Sequence, residues 1–244
     1  MRQRPFEIIH ETDDYIVINK KAGVLSIPDR YNDDKINIYA LLKSYRGEVF
    51  SVHRIDKDTS GTMIYAKNES SHKWLSQQFE ARKVKKKYLA LVEGTPSDDE
   101  GEIIANIASS LTHKNKMVVA KKGKEAITRY KVIEQFKNHA LLEVEIFTGR
   151  QHQIRVHLQY FGHPLAVDSK YGSKNALFAY ELKSGRYNYH KDKEPRPLIS
   201  RHSLHAWKLS IQEPGTQEWV EIESPLPKDL RATLNQLRKW SSVS

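Results

Sequence analysis

The chain contains no cysteine. That removes disulfides, thiolate nucleophiles and cysteine-based zinc sites together, so any chemistry falls to oxygen, nitrogen or an added cofactor. Long apolar runs are missing as well. No stretch approaches the roughly 20 apolar residues that span a bilayer, and the opening MRQRPFEIIHETDD lacks the apolar core of a secretory signal, so the expected location is the cytoplasm. There is no internal repeat, no heptad pattern and no low-complexity linker to divide the chain, and residues 1–244 are expected to form one catalytic-sized domain. What is abundant is charge. Lys and Arg number 40 against 30 Asp and Glu, a formal net charge of +10, which suits a polyanionic partner as well as a solvated basic surface. The placement is uneven: Arg82, Lys83, Lys85, Lys86 and Lys87 form one basic cluster, and Lys114, Lys116, Lys121, Lys122 and Lys124 a second.

Apolar periodicity predicts strands at 15–18, entering at Val52, and at 62–66, 88–94, 102–107, 117–120, 125–136, 139–147, 204–211 and 219–222. Within 139–147, Leu142, Val144 and Ile146 alternate with Glu143 and Glu145, the mark of a half-buried strand. Helical spacing appears at 36–45 (Ile38, Leu41, Leu42), at 69–82 (Trp74, Leu75, Phe79), at 149–161 (Ile154, Leu158, Phe161) and from Lys228 to the C-terminus. Thr148 and Gln151 stand at capping-box spacing before the third of these helices. The polar, Tyr- and Lys-rich stretch 173–200 reads as a surface loop or insertion. Strands outnumber helices and often follow one another directly. The expected class is therefore α+β, with a mixed, largely antiparallel central sheet flanked by helices, and not a doubly wound parallel sheet.

The run HRIDKDTSG at 53–61 packs two carboxylates, a His, two hydroxyls and a Gly between two predicted strands. Taken alone, it reads first as an ordinary polar turn in which Asp58, Thr59 and Ser60 bond to their own backbone. As a string it resembles the HR-L-D-x-x-TSG signature of the RluA family of pseudouridine synthases, with Ile55 in the place of Leu. Further motifs of that family follow in order: DDYIVINKKAGVLSIP at 13–28, KKYLALVEG at 86–94, TGRQHQIRVHL at 148–158, HPLAVDSKYG at 163–172 and LHAWKL at 204–209. The resemblance covers roughly residues 6 to 230. Val167 stands where relatives carry Gly, and 173–200 matches no family pattern. Many relatives carry a small RNA-binding domain ahead of the catalytic one; the early first motif leads us to expect none here.

The resemblance implies a cofactor-free isomerase that converts uridine to pseudouridine in structured RNA. It implies Asp56 as the catalytic carboxylate, Arg155 as its cationic partner, Tyr88 as the side chain on the target base, and Arg54 as the residue that fills the stack when the base is extruded. An ionised carboxylate in a dry pocket does need a fixed cation, and a paired base must leave the stack before chemistry can reach it. His53, Thr59, Arg150, His152, Gln153 and Leu204 lie in the same motifs and are expected on the RNA. No metal site is expected: helical spacing would set His152 and His157 about 140° apart, and His202 and His205 would face oppositely on a strand. Large-subunit ribosomal RNA is the favoured substrate over transfer RNA, and a monomer without an obligate protein partner is expected. Two other readings stay open: a non-catalytic RNA-binding or ribosome-assembly protein on the same scaffold, and a hydrolase using Asp56 and Asp58 as an acid–base pair.

Overall fold

The computed structural model describes residues 4–29, 32, 34–183 and 195–243. The chain folds into two compact units, each assembled from two chain segments: Met1–Tyr88 with His205–Pro225, and Leu89–Leu204 with Leu226–Ser244. In chain order the first unit contains β1 (Phe6–Glu11), β2 (Tyr15–Lys20), α1 (Ile38–Arg46), β3 (Phe50–Ser51), β4 (Ser60–Ala66) and α2 (Glu69–Glu80). Strand β5 (Lys85–Glu93) then carries the chain into the second unit. There follow β6 (Glu100–Ile104), β7 (Ile107–Ser109), β8 (Met117–Val119), β9 (Ile127–Gln135), β10 (His139–Ile146), α3 (Gln153–Tyr160) and α4 (Ala179–Leu182). Strands β11 (Leu204–Gln212) and β12 (Trp219–Glu223) return to the first unit, and α5 (Lys228–Trp240) closes the second.

In the first unit the sheet order is β1-β2-β4-β11, with β3 on β4 and β12 on β11. All of these pairs are antiparallel except β4 with β11, which is parallel. Every residue of β4 is buried, as expected of a central strand. The parallel contact explains the glycine of the TSG triplet. Gly61 has φ +116°, and a Cβ there would lie 2.0 Å from the carbonyl oxygen of Ala206 on β11, so only glycine permits this approach. Asn37 and Asn68 start α1 and α2 by accepting the N–H of Ala40 and Ser71, both at 2.8 Å. Leu75 of α2 then packs into a core with Tyr15, Val17, Ile64, Ala66, Leu209 and Ile211.

In the second unit β10, β9 and β6 pair antiparallel, β5 lies beside β10, and β7 with β8 forms a separate two-stranded ribbon. The α+β class with a mixed, largely antiparallel sheet is thus what the chain adopts. Three local expectations change. Strand β1 is additional. Helix α3 starts at Gln153 and not at 149; its N-cap residue His152 is left-handed (φ 55°, ψ 21°) and makes no side-chain cap. The 173–200 stretch contains the short helix α4 and a bridge between Leu177 and Ile199, while 184–194 lie outside the described residues. Val167 is buried with its N–H on Ser203 Oγ (3.2 Å) and is absent from the positive-φ residues, so its backbone has no need of the glycine found in relatives. Among the described residues no helix is long and apolar enough to cross a membrane.

Candidate active site

In the first unit the Asp56 loop connects β3 to β4 and is pinned by the segment after β2. Ser26 Oγ donates to the Ile55 carbonyl at 2.7 Å and accepts the Ile55 N–H at 3.2 Å, holding both polar groups of the residue that precedes Asp56. On the other side, the Lys57 carbonyl accepts from Gly23 N–H (2.9 Å) and from Lys20 Nζ (2.9 Å). Lys20 is fully buried and also donates to the carbonyls of Lys21 (3.0 Å) and Val24 (2.8 Å). A buried ammonium is tolerated when carbonyl dipoles replace its hydration, and here one of those dipoles belongs to the residue after Asp56. The turn closes through Thr59 N–H to the Asp56 carbonyl at 3.2 Å. Bonds to the backbone of both neighbouring residues thus hold Asp56 on a fixed loop.

Tyr88 is buried, and its hydroxyl is pushed far above the usual phenol range, first by burial and then by the negative charge of Asp56. It is therefore a neutral phenol within electrostatic reach of Asp56, suited to stacking and hydrogen-bond donation and unsuited to acting as a phenolate. Arg54 is exposed. His53 stacks on Phe79 (centroids 4.8 Å apart, 17° between planes), and its Nε2 accepts the Ile64 N–H at 3.1 Å. Burial, assisted by the charge of Lys86, pushes its pKa down to about 3, so His53 props the loop as a neutral ring. Thr59 is buried, and its hydroxyl has no hydrogen-bond partner among the described residues.

In the second unit Arg155 is buried on α3 and grips Asp168 with two bonds, Nε to Oδ2 at 2.6 Å and an Nη to Oδ1 at 2.9 Å. Asp168 is wholly buried; burial alone would raise its pKa, but the Arg155 hydrogen bonds and charge outweigh that and hold it below the usual carboxylate range. Oδ1 also accepts the N–H of Lys170 (2.9 Å) and of Tyr171 (3.1 Å), and His202 Nε2 lies 3.9 Å from it. The Arg155 guanidinium carbon stands 4.8 Å from the centre of the Tyr171 ring.

Gln153, expected on RNA, is placed differently. It is buried, its Oε1 accepts from Thr148 Oγ1 (2.7 Å) and Arg150 N–H (3.0 Å), and its Nε2 donates to the Ile127 carbonyl (2.9 Å) and Thr128 Oγ1 (3.0 Å). With two donors and two acceptors all committed, the amide has nothing left for a ligand. The same network reaches His157. Its Nε2 faces the Ala105 carbonyl (3.0 Å) and must carry the proton, leaving Nδ1 to accept from Thr128 Oγ1 (2.9 Å). His205 likewise faces Ser60 Oγ (3.0 Å) and the Ser224 carbonyl (3.3 Å). Leu204 is a core side chain. Arg150 is partly exposed with Nε on the Glu125 carbonyl at 2.9 Å, and His152 is partly exposed with Nδ1 2.8 Å from the Tyr171 hydroxyl. Sequence reasoning passed over Ser26, Lys20, Asp168 and Tyr171 as site residues, although all four stand inside the motifs it quoted.

A family model described as RNA pseudouridylate synthase matches residues 14–160. The chain belongs to that family. Among relatives of this pseudouridine synthase, the uncharacterized RNA pseudouridine synthase YlyB of Bacillus subtilis is 35% identical, the match covering 96% of this chain and 73% of the relative. The ribosomal large subunit pseudouridine synthase D of Nitrosomonas europaea is 38% identical over 98% of this chain and 68% of its own length. Among solved structures, human RNA pseudouridylate synthase domain containing 1 superposes with a TM-score of 0.69 at 27% identity, covering 91% of this chain and 84% of the human one. The enzyme therefore isomerises uridine in RNA, and the expectation of the RluA family holds. Neither the hydrolase nor the non-catalytic reading finds support among these relatives.

Proposed function

We propose that this pseudouridine synthase acts on large-subunit ribosomal RNA, with Asp56 as the catalytic carboxylate. The observation that carries the reading of the site is the Asp56 loop, bonded on both flanks by Ser26 and Lys20, with neutral Tyr88 in reach of the Asp56 charge. Isomerisation breaks the base–sugar bond, turns the uracil while it is held, and rejoins it through carbon 5. A carboxylate can attack the sugar at carbon 1′ or take a proton from carbon 2′, and either route needs it ionised. Tyr88 holds the uracil by stacking. Arg155 supplies the cation that keeps Asp56 charged, an assignment resting on the family motif and on the chemical need for a fixed positive group. Arg54, exposed and planar, occupies the vacated stack, and Arg150 and His152 contact the RNA. Ribosomal RNA is favoured by the names of the ribosomal relatives.

The test is tritium release from RNA carrying carbon-5-labelled uridine, followed by mapping of pseudouridines in ribosomal and transfer RNA with and without the gene. Asp56→Ala is expected to abolish release while leaving RNA binding intact. Undiminished release by that variant would overturn the role of Asp56, and sites lost from transfer RNA alone would overturn the ribosomal assignment.

A further inference from the structure

One tyrosine of the second unit joins features that the proposed chemistry uses separately. From Ile103 to Lys124 the chain has no Asp or Glu, and it carries Lys114, Lys116, Lys121, Lys122 and Lys124. Four of these, Lys114, Lys121, Lys122 and Lys124, are exposed, and so is Leu111 in the loop between β7 and β8. A run of exposed lysines with no acidic residue among them is an electrostatic footprint for a phosphate backbone. The ribbon itself is short, three residues in each strand, too little to be stable through its own pairing.

Two consecutive side chains anchor it. Lys170 Nζ donates to the Asn115 carbonyl at 2.9 Å, and the Tyr171 hydroxyl accepts the Met117 N–H at 2.8 Å. That same hydroxyl lies 2.8 Å from Nδ1 of His152, whose left-handed backbone opens α3. The Tyr171 ring packs with Ile107, Ala126 and Val156 under the ribbon, and Arg155 stands over it. Finally, the Tyr171 and Lys170 amides bind the carboxylate of Asp168 that grips Arg155. An unbroken path of hydrogen bonds and packing therefore runs from the basic ribbon through Tyr171 to Arg155.

We propose that Tyr171 is a positioning residue that couples capture of RNA phosphates by the β7–β8 ribbon to the orientation of Arg155. Its hydroxyl holds the ribbon and His152 for binding; its ring supports the guanidinium for the chemical step. This inference rests on the role of Arg155 proposed above.

The test separates the two halves of the side chain in the full-length protein. Tyr171→Phe removes the hydroxyl and keeps the ring; it is expected to raise KM for RNA about fivefold and to leave kcat within about twofold. Tyr171→Leu removes both and is expected to lower kcat about tenfold in addition. Coupling is read from a double-mutant cycle: Lys121→Ala with Lys122→Ala should raise KM several-fold less in the Tyr171→Phe background than in the wild type. If Tyr171→Leu does not fold, the Phe cycle decides alone. Strictly additive effects, or a Tyr171→Phe enzyme with reduced kcat at unchanged KM, or one kinetically identical to the wild type, would overturn the proposal. Should the parent chain release no tritium, the assigned activity fails first, and the same cycle measured on the Kd for RNA still decides whether Tyr171 couples to the ribbon.

Discussion

Ser26→Ala tests whether the rigidity of the Asp56 loop matters to catalysis or only to folding. The hydroxyl makes two bonds to one residue, donating to the Ile55 carbonyl at 2.7 Å and accepting its N–H at 3.2 Å, and both Ser26 and Ile55 are buried. Each such bond contributes about 1 kcal/mol net, and a buried backbone group stripped of its partner costs up to about 3 kcal/mol, so a loss of about 2 kcal/mol of stability is expected. The backbone contacts of Ser26, with its carbonyl accepting from the Tyr39 N–H and the Tyr65 hydroxyl, survive the change. The effect should therefore stay local to Ile55 and its neighbour Asp56. A catalytic group displaced by about 1 Å can lose about 100-fold in rate, and a fall in kcat of about 10- to 100-fold is expected with little change in RNA affinity. Urea unfolding followed by circular dichroism gives the first quantity; tritium release at saturating RNA gives the second. A variant destabilised by about 2 kcal/mol whose kcat stays within about twofold of the wild type would refute the positioning argument.

Gly61→Ala should not give a folded protein, because its Cβ would meet the Ala206 carbonyl oxygen at 2.0 Å across the parallel β4–β11 contact; a soluble variant with an unchanged melting temperature would contradict that geometry. His53 remains neutral in the folded protein until about pH 3 but takes up a proton near 6.5 when unfolded. The unfolded state then binds more protons below about pH 6.5, so stability falls as pH drops through that window, by at most about 1.4 kcal/mol per unit from this group. His53→Gln is expected to flatten the difference between urea unfolding at about pH 7.5 and about pH 5, and an unchanged difference would assign the dependence elsewhere. Asp168→Asn keeps the size and an acceptor for the Lys170 and Tyr171 amides but removes the charge held by Arg155. It is expected to cost about 3 kcal/mol and to lower kcat more than KM; equal stability and activity would show that Arg155 is oriented without it.

What could be read in the sequence and what could not divides along the range of the interactions. Strands β2, β4 and β10 announce themselves through apolar runs or alternation, and the Asp56 loop through its string, because both kinds of signal lie within a few residues. Strand β1 (FEIIHE) hides. Its burial follows no clean alternation, and its pairing with β2 shifts register between Ile8 and His10, so period-two patterning fails there. The start of α3 misleads for a longer-range reason. Thr148 and Gln151 have the right spacing for a capping box, but the Thr148 hydroxyl is already bonded to the Ile127 N–H of β9 (3.1 Å) and to Gln153 (2.7 Å). A side chain engaged by a neighbouring strand cannot also cap its own helix, and the helix opens four residues later on a left-handed His152. Gln153 follows from the same fact: the motif that suggests RNA contact contains a residue whose four bonds are all made within the protein, to Thr148, Arg150, Ile127 and Thr128. Asp168 is the complementary case, invisible as a partner because thirteen residues and a change of element separate it from Arg155. A family string therefore points to the proposed reacting groups, while the residues bonded or packed around them, Ser26 and Lys20 at the Asp56 loop and Asp168 and Tyr171 at Arg155, emerge only when distant backbone is brought to their side chains. That division explains the form of Ser26→Ala and Asp168→Asn: each leaves the proposed reacting groups in place and removes a support, so a loss of kcat measures aim and not chemistry.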